Sequence, residues 1–137
     1  MATYTKFNCF VEDVAEKKHN LATDQLVVAL CAAANAPVAT NTVLANLTQI
    51  SYTNCSSRNI TTSSSGQTSG TYRLILTDLV LTASGAVGPF RYVVIYNDTA
   101  TNDELIGFYD YGSEITLASG DTFTIDFHAT NGLISLA

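Results

Sequence analysis

At 137 residues, the chain is long enough for one domain that buries about two-thirds of the surface of its unfolded state. Six basic residues against twelve acidic ones give a net charge of −6, which argues against binding to a phosphate backbone or to an anionic membrane. Only 13% of the residues are charged, so uncharged polar side chains or another protein chain must cover part of the surface.

The N-terminal region carries the only helical period of the sequence. Within residues 5–19, an apolar stripe is formed by Phe7, Phe10, Val11 and Val14, which recur at positions i, i+3, i+4 and i+7. We predict a short helix over this range. A helix this short is marginal on its own, so we expect it either to dock on a sheet edge or to reach a neighbouring subunit as an arm.

The middle of the chain predicts one buried strand followed by two irregular stretches. Residues 25–32 are apolar on both faces, which predicts a strand that is covered on both sides. The loop after this strand is expected to close into a helical turn near residues 42–47. Residues 54–70 are rich in Ser, Thr and Gly, which predicts a long exposed loop with a short polar strand around residues 59–63.

The second half of the chain predicts an antiparallel meander. Residues 71–82 give a strand that breaks at Asp78. Short turn signals separate the apolar segments that follow it, at residues 90–96, 105–111, 115–117, 122–128 and 133–137. The dipeptide Asn131-Gly132 predicts a hairpin before the last of these segments.

These elements amount to about eight strands and one helix in a single domain that spans residues 1–137. We therefore predict a mainly β fold, a two-sheet antiparallel sandwich of the jelly-roll type with one short N-terminal helix. An immunoglobulin-like sandwich is the alternative, although the chain has no Trp and no suitably spaced pair of cysteines.

The three cysteines, Cys9, Cys31 and Cys55, are widely spaced and form no Cys-x-x-Cys pair. The charges near the N-terminus argue against a signal peptide, so we expect manufacture in a cytosol with the thiols reduced. The sequence also has no apolar run of the length that a transmembrane helix requires.

No motif predicts catalysis, and no residue is predicted to bind a cofactor. The chain lacks a nucleophile elbow, a phosphate-binding loop and a dinucleotide fingerprint. His19 is expected to be exposed on the helix. His128 shares a predicted strand face with Asp126, but the spacing offers no third ligand, so no metal site is predicted. The acidic stretch at residues 97–104 lacks the alternate spacing of ligands that a calcium-binding loop requires, and it is interpreted as an Asx-rich turn.

Six aromatic residues are candidates for an interface. Four tyrosines lie at same-parity positions of two strands that are expected to be adjacent, and two phenylalanines lie on the helical stripe: Tyr92, Tyr96, Tyr109, Tyr111, Phe7 and Phe10. Tyrosine is amphipathic and enriched in interfaces, which favours a contact surface. Cross-strand aromatic pairs also stabilise a sheet by themselves, so both interpretations stay open.

Several strings resemble, in this order, a family of small structural proteins of tailed bacteriophages: KFNCFVEDVAEKKHNL, APVATNTVLANLTQI, SSSGQTSGTYRL, FRYVVIYNDT, LIGFYDYGS, ITLASGDTFTIDF and TNGLISLA. The resemblance spans nearly the whole chain, but no string encodes a chemistry. It implies a capsid decoration, or cement, protein with a jelly-roll fold that sits on the outside of the head and clamps neighbouring major-capsid subunits. It implies no individual functional residue, because no sequence motif of the family marks a functional site.

The resemblance therefore implies a non-enzymatic, multicopy virion protein that is made in the bacterial cytoplasm and whose partner is the major capsid protein. Self-association as a dimer or trimer is also expected, whereas binding to nucleic acid, a membrane or a cofactor is not. A tail, baseplate or adhesion component is the alternative function. A small carbohydrate-active enzyme with a β-sandwich fold is a more distant one.

Overall fold

Residues 2–137, which the computed structural model describes, are mainly β, with antiparallel sheets and one α-helix, as the sequence predicts. The helix, α1, spans Cys9–Ala15, and short 3-10 turns lie at Ala33–Asn35 and Leu44–Asn46. The strands in chain order are β1 (Thr3–Lys6), β2 (Leu26–Cys31), β3 (Asn59–Ile60), β4 (Thr62–Thr68), β5 (Thr71–Leu76), β6 (Leu79–Thr82), β7 (Val87–Asn97), β8 (Leu105–Leu117), β9 (Thr122–Ile125) and β10 (Ile134–Leu136). Within this part of the chain, no helix is long and apolar enough to cross a membrane.

The strands of the described residues form three sheets. The largest has five strands in the order β1-β8-β7-β2-β3, a second has the order β10-β5-β4, and the third is the pair β6-β9. Every named strand pair is antiparallel. We term the side of the five-stranded sheet that packs against the two smaller sheets its inner face, and the opposite side its outer face.

The strand β2, which lies between β7 and β3, is apolar on both faces because both faces lie in a hydrophobic core. All of its residues are buried, and it pairs with β7 from Leu26 opposite Asn97 to Cys31 opposite Tyr92. Val28 and Leu30 belong to the inner core, while Val27 belongs to the outer one. The predicted coverage on both sides is confirmed.

The inner core joins the three sheets. It contains fully buried side chains from each of them, among which are Val28, Leu30, Phe90, Val93, Leu74, Leu81 and Ile125. Burial of one such side chain stabilises the fold by about 1.5–3 kcal/mol. The outer core is smaller and is closed by residues 32–49, which we term the cover segment and from which Leu44 and Leu47 pack against the sheet.

The N-terminal helix is shorter than predicted. The predicted range 5–19 divides into the end of β1, the helix α1 and a turn, and Val11 of the predicted stripe is 52% exposed. The reason is that β8 offers a free edge. Backbone pairing of β1 along that edge, with Lys6 opposite Gly107, outweighs the helical preference of these residues.

The Ser-rich stretch also differs from its prediction. Instead of a long loop with a short strand, residues 62–68 form the complete strand β4, which pairs with β5. The two strands are joined by Ser69 and Gly70, whose φ angles of 50° and 83° give a two-residue turn of the kind that matches strand twist. Serine and threonine are tolerated here because most of β4 is exposed.

The two long strands β7 and β8 contain an irregularity that the alternation of the sequence does not reveal. Phe90 lies opposite Ile115, but Tyr92 lies opposite Asp110, so the register shifts between these positions. As a consequence Phe90 belongs to the inner core, whereas Tyr92 belongs to the outer one. The predicted break at Gly112 is absent as well, because β8 runs through this glycine, whose φ is 81°.

The last strand does not form the predicted hairpin with β9. Asn131 and Gly132 turn the chain toward β5, and β10 pairs there, with Ile134 opposite Leu74. The Leu74 carbonyl accepts the backbone N–H of Leu133 at 2.8 Å, which fixes this crossing. The final segment therefore closes the three-stranded sheet and does not extend the meander.

Candidate interaction surface

Four of the six aromatic residues predicted for an interface are core residues. Phe7 and Phe10 are 0% exposed, and Tyr92 and Tyr96 are 8% and 5% exposed. Phe7 packs in the outer core with Phe108 at a ring-centroid distance of 5.2 Å, so it stabilises the sheet. These four side chains are buried within the chain itself, so they leave almost no surface for the predicted contact with a partner.

The other two tyrosines, Tyr109 and Tyr111, lie on the inner face and not beside Tyr92. They are half-buried and pack against aromatic rings of other strands, with centroid distances of 5.0 Å from Tyr109 to Tyr4 and 5.1 Å from Tyr111 to Phe123. Burial raises the pKa of Tyr109 to about 12. The alternative interpretation, that aromatic pairs stabilise the sheets, accounts for this pair.

His19 is buried, so the prediction that it is exposed is wrong. The chain turns back after α1, and the imidazole stacks on Phe10 at a centroid distance of 5.4 Å. Its Nδ1 accepts a hydrogen bond from the Asn97 side-chain amide at 2.9 Å. The same amide nitrogen donates to the Asp24 carboxylate at 2.7 Å, so the segment after α1 and the end of β7 meet here.

The orientation of Asn97 determines the protonation of His19. The Asn97 side-chain oxygen accepts the backbone N–H groups of Thr99 and Ala100, which leaves its nitrogen as the donor to the imidazole. His19 is therefore neutral, with its proton on Nε2, an atom that has no hydrogen-bond partner among the described residues. Burial lowers the pKa of His19 and favours this neutral form.

A cavity of about 680 Å³ opens beside His19, between the helix end, the turn after β7 and the three-stranded sheet. Its lining mixes apolar side chains with groups of both charges, including Val14, Leu21, Lys18, Asp24, Tyr72, Glu104 and Leu136. Beside it, Lys18 forms an ion pair with the buried carboxylate of Asp13 at 3.1 Å. The cavity therefore lies beside a buried imidazole and a partly buried ion pair.

The second histidine acts in a turn. His128 lies beyond the end of β9, and its Nδ1 accepts the backbone N–H groups of Thr130 and Asn131 at 3.2 and 3.0 Å. In residues 2–137 it makes no hydrogen bond to Asp126, and both residues lie beyond Ile125, where β9 ends. The same described residues contain no group of three His, Cys, Asp or Glu side chains that are placed to hold a metal ion.

The cover segment is notable for its lack of charge. Arg58 is the one charged residue between positions 25 and 72 of the sequence. Its guanidinium group lies 3.6 Å from the ring centroid of Tyr52 and donates to the Val28 carbonyl at 2.6 Å, so this charge is used within the fold. The interface prediction was based on aromatic residues and did not include the cover segment. The signal in the sequence that distinguishes this segment is its lack of charged residues.

Hydrogen bonds hold the cover segment in one conformation although it has little regular structure. The Asn46 side-chain oxygen accepts the N–H groups of Thr42 and Val43, and that of Asn41 accepts the N–H of Val38 at 2.8 Å. At the far end, the Tyr52 hydroxyl accepts the N–H of Leu30 and donates to Gln49 at 2.6 Å. The result is a fixed, uncharged surface on the outer side of the five-stranded sheet.

One apolar side chain projects from this surface. Val38 is 53% exposed, and the residues around it are small or uncharged: Ala36, Pro37, Ala39, Thr40 and Asn41. Shallow hollows of about 210 and 640 Å³ lie next to the segment, lined by residues such as Asn35, Val38, Leu44, Leu47 and Gln49, and the larger one is bordered by one charged residue from outside the segment, Asp103. An apolar centre with a polar rim is the composition found in protein interfaces.

No protein-family model, curated protein sequence or solved structure matches this chain. The surface is therefore interpreted from its own chemistry.

Proposed function

We propose that this chain is a non-enzymatic bacteriophage virion protein of the capsid decoration type, which binds the major capsid protein on the outside of the head. The observation that carries the proposal is the uncharged cover segment. Interface cores are depleted in charged residues because a charge that loses water without a partner is costly. A segment without any charged side chain suits contact with another protein better than contact with water.

The rigidity of the cover segment supports the same proposal. A surface that is already ordered loses less conformational entropy when it binds. On a capsid, each copy that bridges neighbouring subunits gains from several contacts at once, so a modest interface is sufficient. Binding to the assembled lattice then stabilises the particle by mass action.

The resemblance to phage structural proteins supports the finer points of the proposal. We propose that the three-stranded and two-stranded sheets act together as the second layer of a jelly-roll sandwich. The protein would be made in the bacterial cytoplasm and reside on the virion surface. The reduced cysteines agree with this, since all three thiols are free in the structure.

The first test is the number of copies in a purified particle. A decoration protein follows the icosahedral lattice, so quantitative mass spectrometry should find copies in the hundreds. A count of a few copies per particle would contradict the proposal and favour a tail, baseplate or adhesion component.

A second test replaces Val38 with Asp at the centre of the cover segment. The introduced carboxylate would have to lose water on binding, so we expect the affinity for undecorated heads to fall by about tenfold or more. Co-sedimentation of the protein with heads measures this change.

The matched control is Val80→Asp. Val80 is 49% exposed on β6, on the other side of the five-stranded sheet, so the same change there should leave binding unaltered. Melting temperatures of both variants show whether each is folded. Equal binding by the wild-type protein and the Val38 variant would contradict the proposed surface.

A further inference from the structure

The three-stranded sheet ends in a free edge at β4. This strand has seven residues, and on its other side it pairs with no strand of the described chain. The other strands at the borders of the sheets, β1, β3, β6, β9 and β10, have at most four residues each. Among these border strands of the described structure, β4 is thus the longest.

The edge of β4 also lacks the features that protect most edges. Proteins limit edge pairing with short strands, charged side chains, proline or bulges. The sequence of β4, TSSSGQT, has no charge and no proline. Its one irregularity lies between Thr62 and Ser64, at the end away from the turn, so the rest of the edge is regular.

The register identifies the backbone groups that point outward. Thr68 flanks the two-residue turn and is the hydrogen-bonded position next to it. Because bonding alternates along an antiparallel pair, Gly66 directs its N–H and C=O toward β5. Ser65 and Gln67 direct theirs toward the free edge.

We propose that β4 pairs with β4 of a second copy of this chain, antiparallel and about a two-fold axis. The pairing joins two three-stranded sheets into one sheet of six strands. A two-fold axis through such a pair repeats each outward donor and acceptor on the partner, so every hydrogen bond is made twice. The inference does not depend on the proposed binding to capsids.

The absence of charge favours a second copy over a different protein. Two identical antiparallel strands bring like residues together near the axis, and like charges in opposite positions destabilise a sheet. A strand that pairs with itself must therefore be free of charge near its centre, which β4 is. A strand that binds a different protein has no such requirement, because its partner can carry the complementary charge.

The contact is small. A pair of seven-residue strands buries less than the roughly 1,200–2,000 Å² of a stable protein interface. We therefore expect a dimer that dissociates on dilution and that a high local concentration favours.

Amide hydrogen exchange, followed by NMR at low and high protein concentration, tests the pairing directly. The N–H groups of Ser65 and Gln67 should become protected as the concentration rises. Those of Gly66 and Thr68 already bond to β5 and should not change. If Ser65 and Gln67 exchange equally fast at all concentrations, or become protected only when another protein is added, the inference is overturned.

A double variant, Ser64→Glu with Gly66→Glu, adds a charge test. In the dimer the two new carboxylates lie across from those of the second copy, so sedimentation equilibrium should show dimerisation weakened by about tenfold or more. Both positions are exposed, and a Cβ at Gly66 meets open space. Position 66 also lies opposite Arg73 of β5, so the new carboxylate there has a cation beside it in the folded monomer.

The matched control is Thr122→Glu with Thr124→Glu, two exposed positions of β9 with the same spacing and the same change of charge. The control should dimerise like the wild-type protein. A wild-type dimer that both variants weaken equally, or that the β4 variant leaves intact, would place the contact elsewhere and overturn the inference.

Discussion

His19 shows how a single residue can join distant parts of the chain. It lies after α1, bonds to Asn97 at the end of β7, and through Asn97 connects to Asp24 before β2. A sequence pattern places this histidine beside two lysines and predicts exposure. The pattern cannot predict its burial, because its hydrogen-bond partner Asn97 is 78 residues away in the sequence.

The buried imidazole should make stability depend on pH. Burial lowers the pKa of His19 in the folded chain, so between that value and the usual one near 6.5 the unfolded chain binds more protons. Stability is therefore complete above pH of about 6.5 and falls as the pH decreases toward the folded-state pKa. Protonation of Nδ1 would also make its N–H face the N–H of the Asn97 side chain. That side chain cannot turn freely, because its oxygen accepts two backbone N–H groups.

Urea unfolding at pH 7.5 and pH 5.0 measures the effect, with His19→Gln as the comparison. Glutamine retains an acceptor for Asn97 but does not titrate, so the variant should lose less stability between the two pH values than the wild-type protein. The other charged groups near the imidazole are present in both proteins: Asp13, Lys18, Asp24 and Glu104. The same loss in both proteins would show that His19 does not cause the dependence.

Gly107 is a second residue whose role follows from its surroundings. The ring of Tyr4 covers it, and a Cβ at this position would overlap the Tyr4 hydroxyl group. We expect Gly107→Ala to destabilise the fold by about 1–3 kcal/mol, since β1 or its tyrosine must move. Chemical denaturation measures the change.

Gly66→Ala is the control for this prediction. Gly66 also lies within a strand, but a Cβ there meets nothing within 4 Å, so its substitution should be close to neutral. If both variants lose the same stability, the close packing of Tyr4 on Gly107 is not the cause.

At the scale of elements, the sequence predicts best the strands whose pattern is local. The two apolar faces of residues 25–32 correspond to the buried strand β2, and the break at Asp78 separates β5 from β6. The carboxylate of Asp78 accepts the backbone N–H of Phe127 at 2.8 Å, so the break connects this corner to the end of β9. The strand and the break can both be predicted because each depends on residues that are close together in the sequence.

The elements that were predicted incorrectly depend on pairing between distant residues. β1 forms because β8 has an edge to fill, and β10 crosses to β5 because Leu74 offers a backbone acceptor. In the pairing of β7 with β8, Tyr92 lies opposite Asp110 and Val93 lies opposite Tyr109. The tyrosines of the two strands therefore lie on opposite faces of the sheet, which is why they do not form the predicted tyrosine surface.

At the scale of the whole molecule, the uneven distribution of charge matters more than its total. The low charge content suggests that part of the surface meets another chain, but it does not say which part. The fold is needed to place the uncharged residues 32–49 together on the outer side of the sheet. Composition therefore predicts that the chain has an uncharged contact surface, but it does not predict where on the fold this surface lies.

The cysteines allow a test of how the whole molecule opens. Cys31 lies on β2 and is 0% exposed, and burial raises its pKa to about 11. Cys55 is half-buried in a loop. Because the thiolate is the reactive form, native Cys31 should resist alkylation at neutral pH, and its reaction requires β2 to leave the sheet.

We expect Cys31 to become labelled only as the protein unfolds globally. In iodoacetamide pulses at increasing urea concentration, its labelling midpoint should coincide with the loss of the far-ultraviolet circular dichroism signal, while Cys55 reacts at lower urea. Peptide mass spectrometry separates the two sites, and a Cys55→Ser variant shows whether the first reaction alters the second. Labelling of Cys31 before the spectroscopic transition would mean that β2 detaches while the other strands stay folded. The five-stranded sheet would then not unfold as one cooperative unit.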